Sequence, residues 1–153
     1  MTSMASPVSS AGRPLAQWLD YIESIHRRSI DLTLDRTRRV LHRLKPRLPP
    51  IVITIAGTNG KGTTAEMLNA VYCEAGYRVG CYTSPHLISY CERVKIDGKP
   101  ATEEVFCAAF ERVERARAGV PLTYFEFGTI AALDLLGHAQ VEVGILEVGL
   151  GGR

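Results

Sequence analysis

Ile51–Thr64 reads IVITIAGTNGKGTT, and this stretch decides the fold. Its β-branched, apolar opening predicts a buried strand. Gly57, Gly60 and Gly62 follow within a few residues, then Thr63, Thr64 and a helix-like segment. A strand that passes through a glycine loop into a helix start is suited to hold phosphate. Bare backbone N–H groups face the anion, and the helix end adds about half a positive charge. Lys61 supplies a full, mobile charge, and a threonine hydroxyl lies within reach of a metal ion. An ordinary strand-to-helix turn explains one glycine. It does not explain three with a lysine and two threonines.

The loop departs from the common G-x-x-x-x-G-K-[ST] pattern. Ile55 stands where the first glycine belongs, and Gly62 separates Lys61 from Thr63. Outward from the loop, helix and strand patterns alternate. Helices are predicted over Leu15–His26, Leu34–Leu44, Gly62–Ala75, Thr102–Arg117 and Phe125–Leu136. In the third, Ala65, Leu68, Val71, Tyr72 and Ala75 should face inward, with Gly76 closing the end. In the fourth, Val105, Phe106, Ala109, Phe110 and Val113 form the apolar face. Strands are predicted over Arg78–Tyr82, Val94–Ile96 with a turn at Asp97-Gly98, and Val141–Val148. The class is therefore α/β: a mostly parallel sheet of the P-loop type, flanked by helices.

Composition sets bounds. The chain has 153 residues, 46% hydrophobic, 22% charged, with net charge +2. That balance predicts one globular unit, no nucleic-acid footprint and no membrane attraction. No apolar run approaches a membrane span. Residues 1–14, rich in Ser, Ala and Pro, read as a disordered leader without signal-peptide character. Cys73, Cys81, Cys91 and Cys107 show no C-x-x-C spacing and predict reduced thiols and a cytoplasmic setting.

In open α/β sheets, ligands bind beyond the carboxyl ends of strands. The glycine loop lies there, Thr83-Ser84-Pro85-His86-Leu87 follows the strand ending at Tyr82, and Glu147 ends the last strand. A carboxylate in that place holds Mg²⁺ directly or through water. Ser84–Arg93 reads as a mobile loop over a ligand, Arg93 as either a contact for a carboxylate or a solvated charge, and Tyr124 and Phe125 as either core residues or rings able to stack on a flat heterocycle.

AGTNGKGTT resembles the loop of ATP-dependent amide ligases of the Mur and folylpolyglutamate synthase superfamily, and the glycine after the lysine resembles its folate branch. SIDLTLDR at Ser29–Arg36, YTSPHL at Tyr82–Leu87, ERVKIDG at Glu92–Gly98, LTYFEFGT at Leu122–Thr129 and LEVGLGGR at Leu146–Arg153 resemble bacterial folylpolyglutamate synthase/dihydrofolate synthase, in that family's order. The resemblance runs from about Leu15 to Arg153, where the family continues. It implies that 15–153 is part of an N-terminal ATP-binding domain of a Mur-ligase-like enzyme, with the rest and a glutamate-binding domain absent.

The reaction implied is phosphorylation of a pterin-linked carboxylate by ATP, then attack by L-glutamate on the acyl phosphate. The small-molecule substrates would be dihydropteroate or folate, L-glutamate and ATP, with Mg²⁺, in an enzyme expected to be monomeric. The resemblance gives Lys61 the catalytic charge and Gly57, Thr58, Asn59, Gly60, Lys61, Gly62 and Thr63 the ATP phosphates. It gives Ser84 and Glu147 the metal. Arg28, Ser29, Ile30, Asp31, Leu32, Thr123, Tyr124, Phe125 and Glu126 would line the pteroate pocket. The alternatives are a Mur-type ligase or other P-loop enzyme, and a nucleotide-binding fragment without activity. The chain alone is expected not to catalyse ligation, and its sheet is expected to end on Val141–Val148 with an apolar edge left open.

Overall fold

The computed structural model describes residues 12–25 and 34–149. Arg28–Leu32, most of the expected leader and Leu150–Arg153 lie outside them. The helices are α1 (Leu15–Ile25), α2 (Asp35–Leu44), α3 (Lys61–Glu74), α4 (Glu103–Arg117) and α5 (Tyr124–His138). The strands are β1 (Ile51–Ile55), β2 (Val79–Tyr82), β3 (Val94–Ile96), β4 (Lys99–Pro100) and β5 (Val143–Glu147).

The sheet order is β1-β5-β2-β3-β4. β5 runs parallel to both neighbours, with Ile55 opposite Glu147 and Tyr82 opposite Leu146. β3 and β4 add an antiparallel hairpin whose turn places Asp97 and Gly98 at positive φ. Asp97 also accepts the Val79 N–H at 2.9 Å, which ties the hairpin back to β2.

Side chains alternate across this sheet. Val79, Cys81, Val143 and Ile145 face α3 and form one apolar cluster with Ala65 and Ile55. The other face receives α5 at unusually close range. Gly80 and Gly144 stand side by side in register. A methyl group on Gly80 would collide with Leu136, and one on Gly144 would meet Pro49 Cγ at 2.8 Å. The paired glycines thus make a trough into which Leu136 sinks. Beyond α5 the helices build the larger core, where Trp18, Phe106, Phe110, Leu122 and Phe127 are almost completely buried.

Two edge expectations are corrected. β1 is not buried: Ile51 and Val52 are each 45% exposed, and only Ile55 is closed off. β5 is not the edge of the sheet but an interior strand between β1 and β2, buried on both faces. Apolar composition is the same signal for both strands, and only the order of pairing separates them. In α3, Ala65 is buried and Leu68 and Tyr72 pack inward, but Val71 is 62% exposed and Ala75 also faces outward. In α4, Val105 is turned out. Gly76 closes α3 at φ 87°, as its position predicts.

Candidate functional site

The loop after β1 is built by glycine geometry. Gly60 sits at φ 75° as the residue before α3, a conformation that costs a side-chain-bearing residue energy. Thr64 is the first to close the helical ladder, donating N–H to Gly60 O at 2.9 Å. The amides of Lys61, Gly62 and Thr63 therefore have no helical acceptor and face outward at the positive helix end. Gly57, Thr58, Asn59 and Gly60 are exposed. Lys61 Nζ donates to Gly57 O at 3.0 Å, so the charge already lies across the loop. Thr63 and Thr64 are both exposed, and Thr64 Oγ1 is turned back onto Gly60 O.

β5 lies between β1 and β2, so the ends of all three strands are neighbours. Glu147 falls on the α3 face. Its Oε2 accepts the Ser84 N–H at 3.1 Å and would lie 3.9 Å from a methyl group placed on Gly62. Loop, Ser84 and Glu147 thus meet, as their strand-end positions predict. They border a cleft of about 760 Å³. The Lys95–Glu66 ion pair, at 2.6 Å, forms part of its rim.

The Ser84–Arg93 segment is tied internally. Glu92 accepts N–H bonds from Leu87, Ile88 and Ser89 at 2.8–3.1 Å, ahead of a short 3-10 turn at Tyr90–Arg93. Those bonds hold its carboxyl below the ordinary value of 4.5. At the tip, Leu87 and Ile88 are each 92% exposed. Arg93 Nε donates to His86 Nδ1 at 2.9 Å. The Arg93 guanidinium also lies 5.1 Å from the Tyr90 ring centre and 5.7 Å from that of Tyr124. This stacking joins the segment after β2 to the start of α5.

At that start the four expected residues divide. Thr123 and Glu126 form a reciprocal cap: Thr123 Oγ1 accepts the Glu126 N–H at 3.2 Å, and Glu126 Oε2 accepts the Thr123 N–H at 2.8 Å. Arg36 donates to both Glu126 oxygens and Thr37 Oγ1 to one. The Glu126 carboxylate is therefore buried and satisfied by protein donors. Tyr124 and Phe125 instead present ring surface. A methyl on Gly149 would meet Phe125 Cζ at 2.7 Å, which sets this ring beside the end of β5. Deeper in, Tyr82 Oη and Thr129 Oγ1 lie 3.1 Å apart, and burial pushes both Tyr82 and Tyr90 up. Burial likewise raises the Cys81 thiol to about 12, so it is not a nucleophile at neutral pH.

The Arg93–His86 bond, the Glu92 clamp and the Glu66–Lys95 pair are structural additions to the sequence reading. The last joins residues from different elements, for which local spacing carries no signal. The clamp has one: a Ser-x-x-Glu pattern at Ser89–Glu92 is a capping signature.

No protein-family model matches the chain. Among curated proteins, it is 51% identical over 144 residues to dihydrofolate synthase/folylpolyglutamate synthase of Escherichia coli K12, covering 94% of this chain and 34% of that protein. Among solved structures, E. coli FolC in complex with DHPP and ADP superposes with TM-score 0.92 at 50% identity, over 95% of this chain and 36% of that one. The Yersinia pestis bifunctional folylpolyglutamate synthase/dihydrofolate synthase complexed with AMPPNP and Mn superposes with TM-score 0.89 at 48% identity, over 97% and 36%. The chain spans about a third of the length of these relatives. Over nearly all of its own length, this chain is a homologue of the bacterial dihydrofolate synthase/folylpolyglutamate synthases.

Proposed function

We propose that this chain carries the phosphate-binding and metal-binding part of an ATP-dependent ligase that joins L-glutamate to dihydropteroate or a folate through an acyl phosphate. The observation that carries the reading is the Glu147 carboxylate at the mouth of the glycine loop, one oxygen held by the Ser84 amide. The other oxygen has no donor among the described residues. Carboxylate and hydroxyl oxygens suit Mg²⁺, so Glu147 and Ser84 fit as its protein ligands. When bound, the ion neutralises charge on the phosphates.

The remaining work belongs to the chain. Gly57–Thr63 wraps the phosphates with outward amides. Lys61 exchanges the Gly57 carbonyl for a phosphate oxygen and offsets repulsion as the substrate carboxylate approaches the γ-phosphate. Tyr124 and Phe125 offer ring faces to the pterin, with Thr123 and Glu126 holding the helix start that presents them. Ser84–Arg93 shields the site from water. Arg28–Leu32 complete the pteroate pocket in this reading. The substrates are small molecules, the enzyme is monomeric, and its four free thiols suit the cytoplasm.

The test is a chimera in which this chain replaces the matching third of the E. coli relative. With ATP, Mg²⁺, dihydropteroate and L-glutamate, it should form dihydrofolate and release ADP. Lys61→Ala should lower kcat at least a hundredfold, about the effect of losing a principal charge stabiliser. Normal turnover by a folded Lys61→Ala chimera rules the role out.

A further inference from the structure

We propose that the cleft where α2, α4 and α5 end binds a small oligoanion, a ligand with closely spaced phosphate or carboxylate groups. This place is remote from the glycine loop. α5 starts beside the candidate site at Tyr124 and ends in the cleft at His138, about 21 Å away at the rise of an α-helix.

Two adjoining hollows form the cleft. One, of about 490 Å³, is lined by Arg43, Arg112 and Arg115. The other, of about 370 Å³, is lined by Lys45 and Arg47. They share Leu44, Asp134 and His138. The volumes suit a small ligand. Both hollows are shallow and open widely to solvent, and they form a local patch, unlike the extended basic stripe that tracks nucleic acid.

Part of the positive charge is already used. Arg112 Nε donates to the buried Asp134 at 2.7 Å, with His138 Nδ1 3.5 Å from the same carboxylate. Arg43 Nη1 donates to the Arg117 carbonyl at 3.0 Å and so caps α4. Among the described residues, the Arg115, Lys45 and Arg47 side chains have no acidic or hydrogen-bonding partner. Three helix ends contribute about half a negative charge each. With Asp134 they offset only about half of the five lysine and arginine charges. The excess is local, because the whole chain carries only +2. Arginine's planar fork matches both phosphate and carboxylate oxygens. A ligand with two or more negative charges would complete the cleft.

The experiment is calorimetric titration at low ionic strength with tripolyphosphate and, separately, triglutamate. It uses the Lys61→Ala chain, which removes the phosphate loop's charge and separates this site from the ligase reading. At least one ligand should bind saturably, one per chain, and the tighter of the two identifies the source chemistry. Arg115→Glu and Arg47→Glu, both exposed, should each weaken binding at least tenfold. Lys99→Glu, an exposed cation on β4, should change it less than twofold. No saturable binding of either ligand overturns the proposal. So does equal weakening by Lys99→Glu, which marks attraction without a site.

Discussion

Glu147 and Glu126 are both buried carboxylates, yet their partners assign them opposite tasks. Glu126 is enclosed by the Thr123 amide, Arg36 and Thr37, with a donor on each oxygen. Its removal takes one acceptor from Arg36 and dismantles the reciprocal cap at the start of α5. Glu126→Ala should lower the free energy of unfolding by about 2–4 kcal/mol, read from urea titration. Glu147 has one protein donor among the described residues and faces a cleft. Glu147→Gln should leave the urea midpoint nearly unchanged and weaken Mg²⁺-dependent ADP binding at least tenfold. A loss of stability with unaltered nucleotide binding sinks the metal assignment. Its strand-end position placed Glu147 near a ligand in the sequence reading, and the family resemblance placed Glu126 there. The sequence does not show that Arg36, distant in the chain, closes over one of them.

Segments were legible where the signal is local. The glycine loop, the Asp97-Gly98 turn and Gly76 after α3 each follow from a residue with a particular backbone habit. The trough in which Leu136 packs was not, because it needs Gly80 and Gly144 from strands that become neighbours only on folding. The same close contact occurs where α5 passes the segment before β1: a methyl on Gly137 would collide with the Arg47 backbone. Backbone gives way less readily than a side-chain tip, so Gly137→Ala should cost about 1–3 kcal/mol by thermal or chemical unfolding. The segment after β2 depends on an ionised Glu92. Its carboxyl titrates lower when folded than when free, so its contribution is complete above about pH 4.5 and disappears as pH falls below that through the folded value. Amide exchange at Leu87, Ile88 and Ser89 should lose protection over that acidic range, and Glu92→Gln should remove the pH dependence.

Across the molecule, the α/β class was legible in the alternation of helix and strand patterns. The pairing order was not, since β1 and β5 are both apolar and nothing in composition says which lies outside. The structure leaves β1 with a free edge among the described residues, and Met67 and Val71 on α3 are exposed as well. An apolar edge invites pairing with another chain. Purified residues 1–153 should therefore self-associate as concentration rises, and Val52→Lys should hold the chain monomeric in sedimentation. Alone, with a third of its relatives' length, the chain should form no dihydrofolate from ATP, Mg²⁺, dihydropteroate and glutamate. The place of β5 between β1 and β2 has a further consequence during synthesis. β1 and β2 leave the ribosome early, yet neither can join the other until Val143–Glu147 emerges to bridge them. Until then β1 stays unpaired and β2 can pair only with the β3 hairpin that follows it, and such long-range closure is slow. Chains arrested before residue 143 should bind holdase chaperones and stay protease-sensitive, and release of β5 should abolish both in a single step.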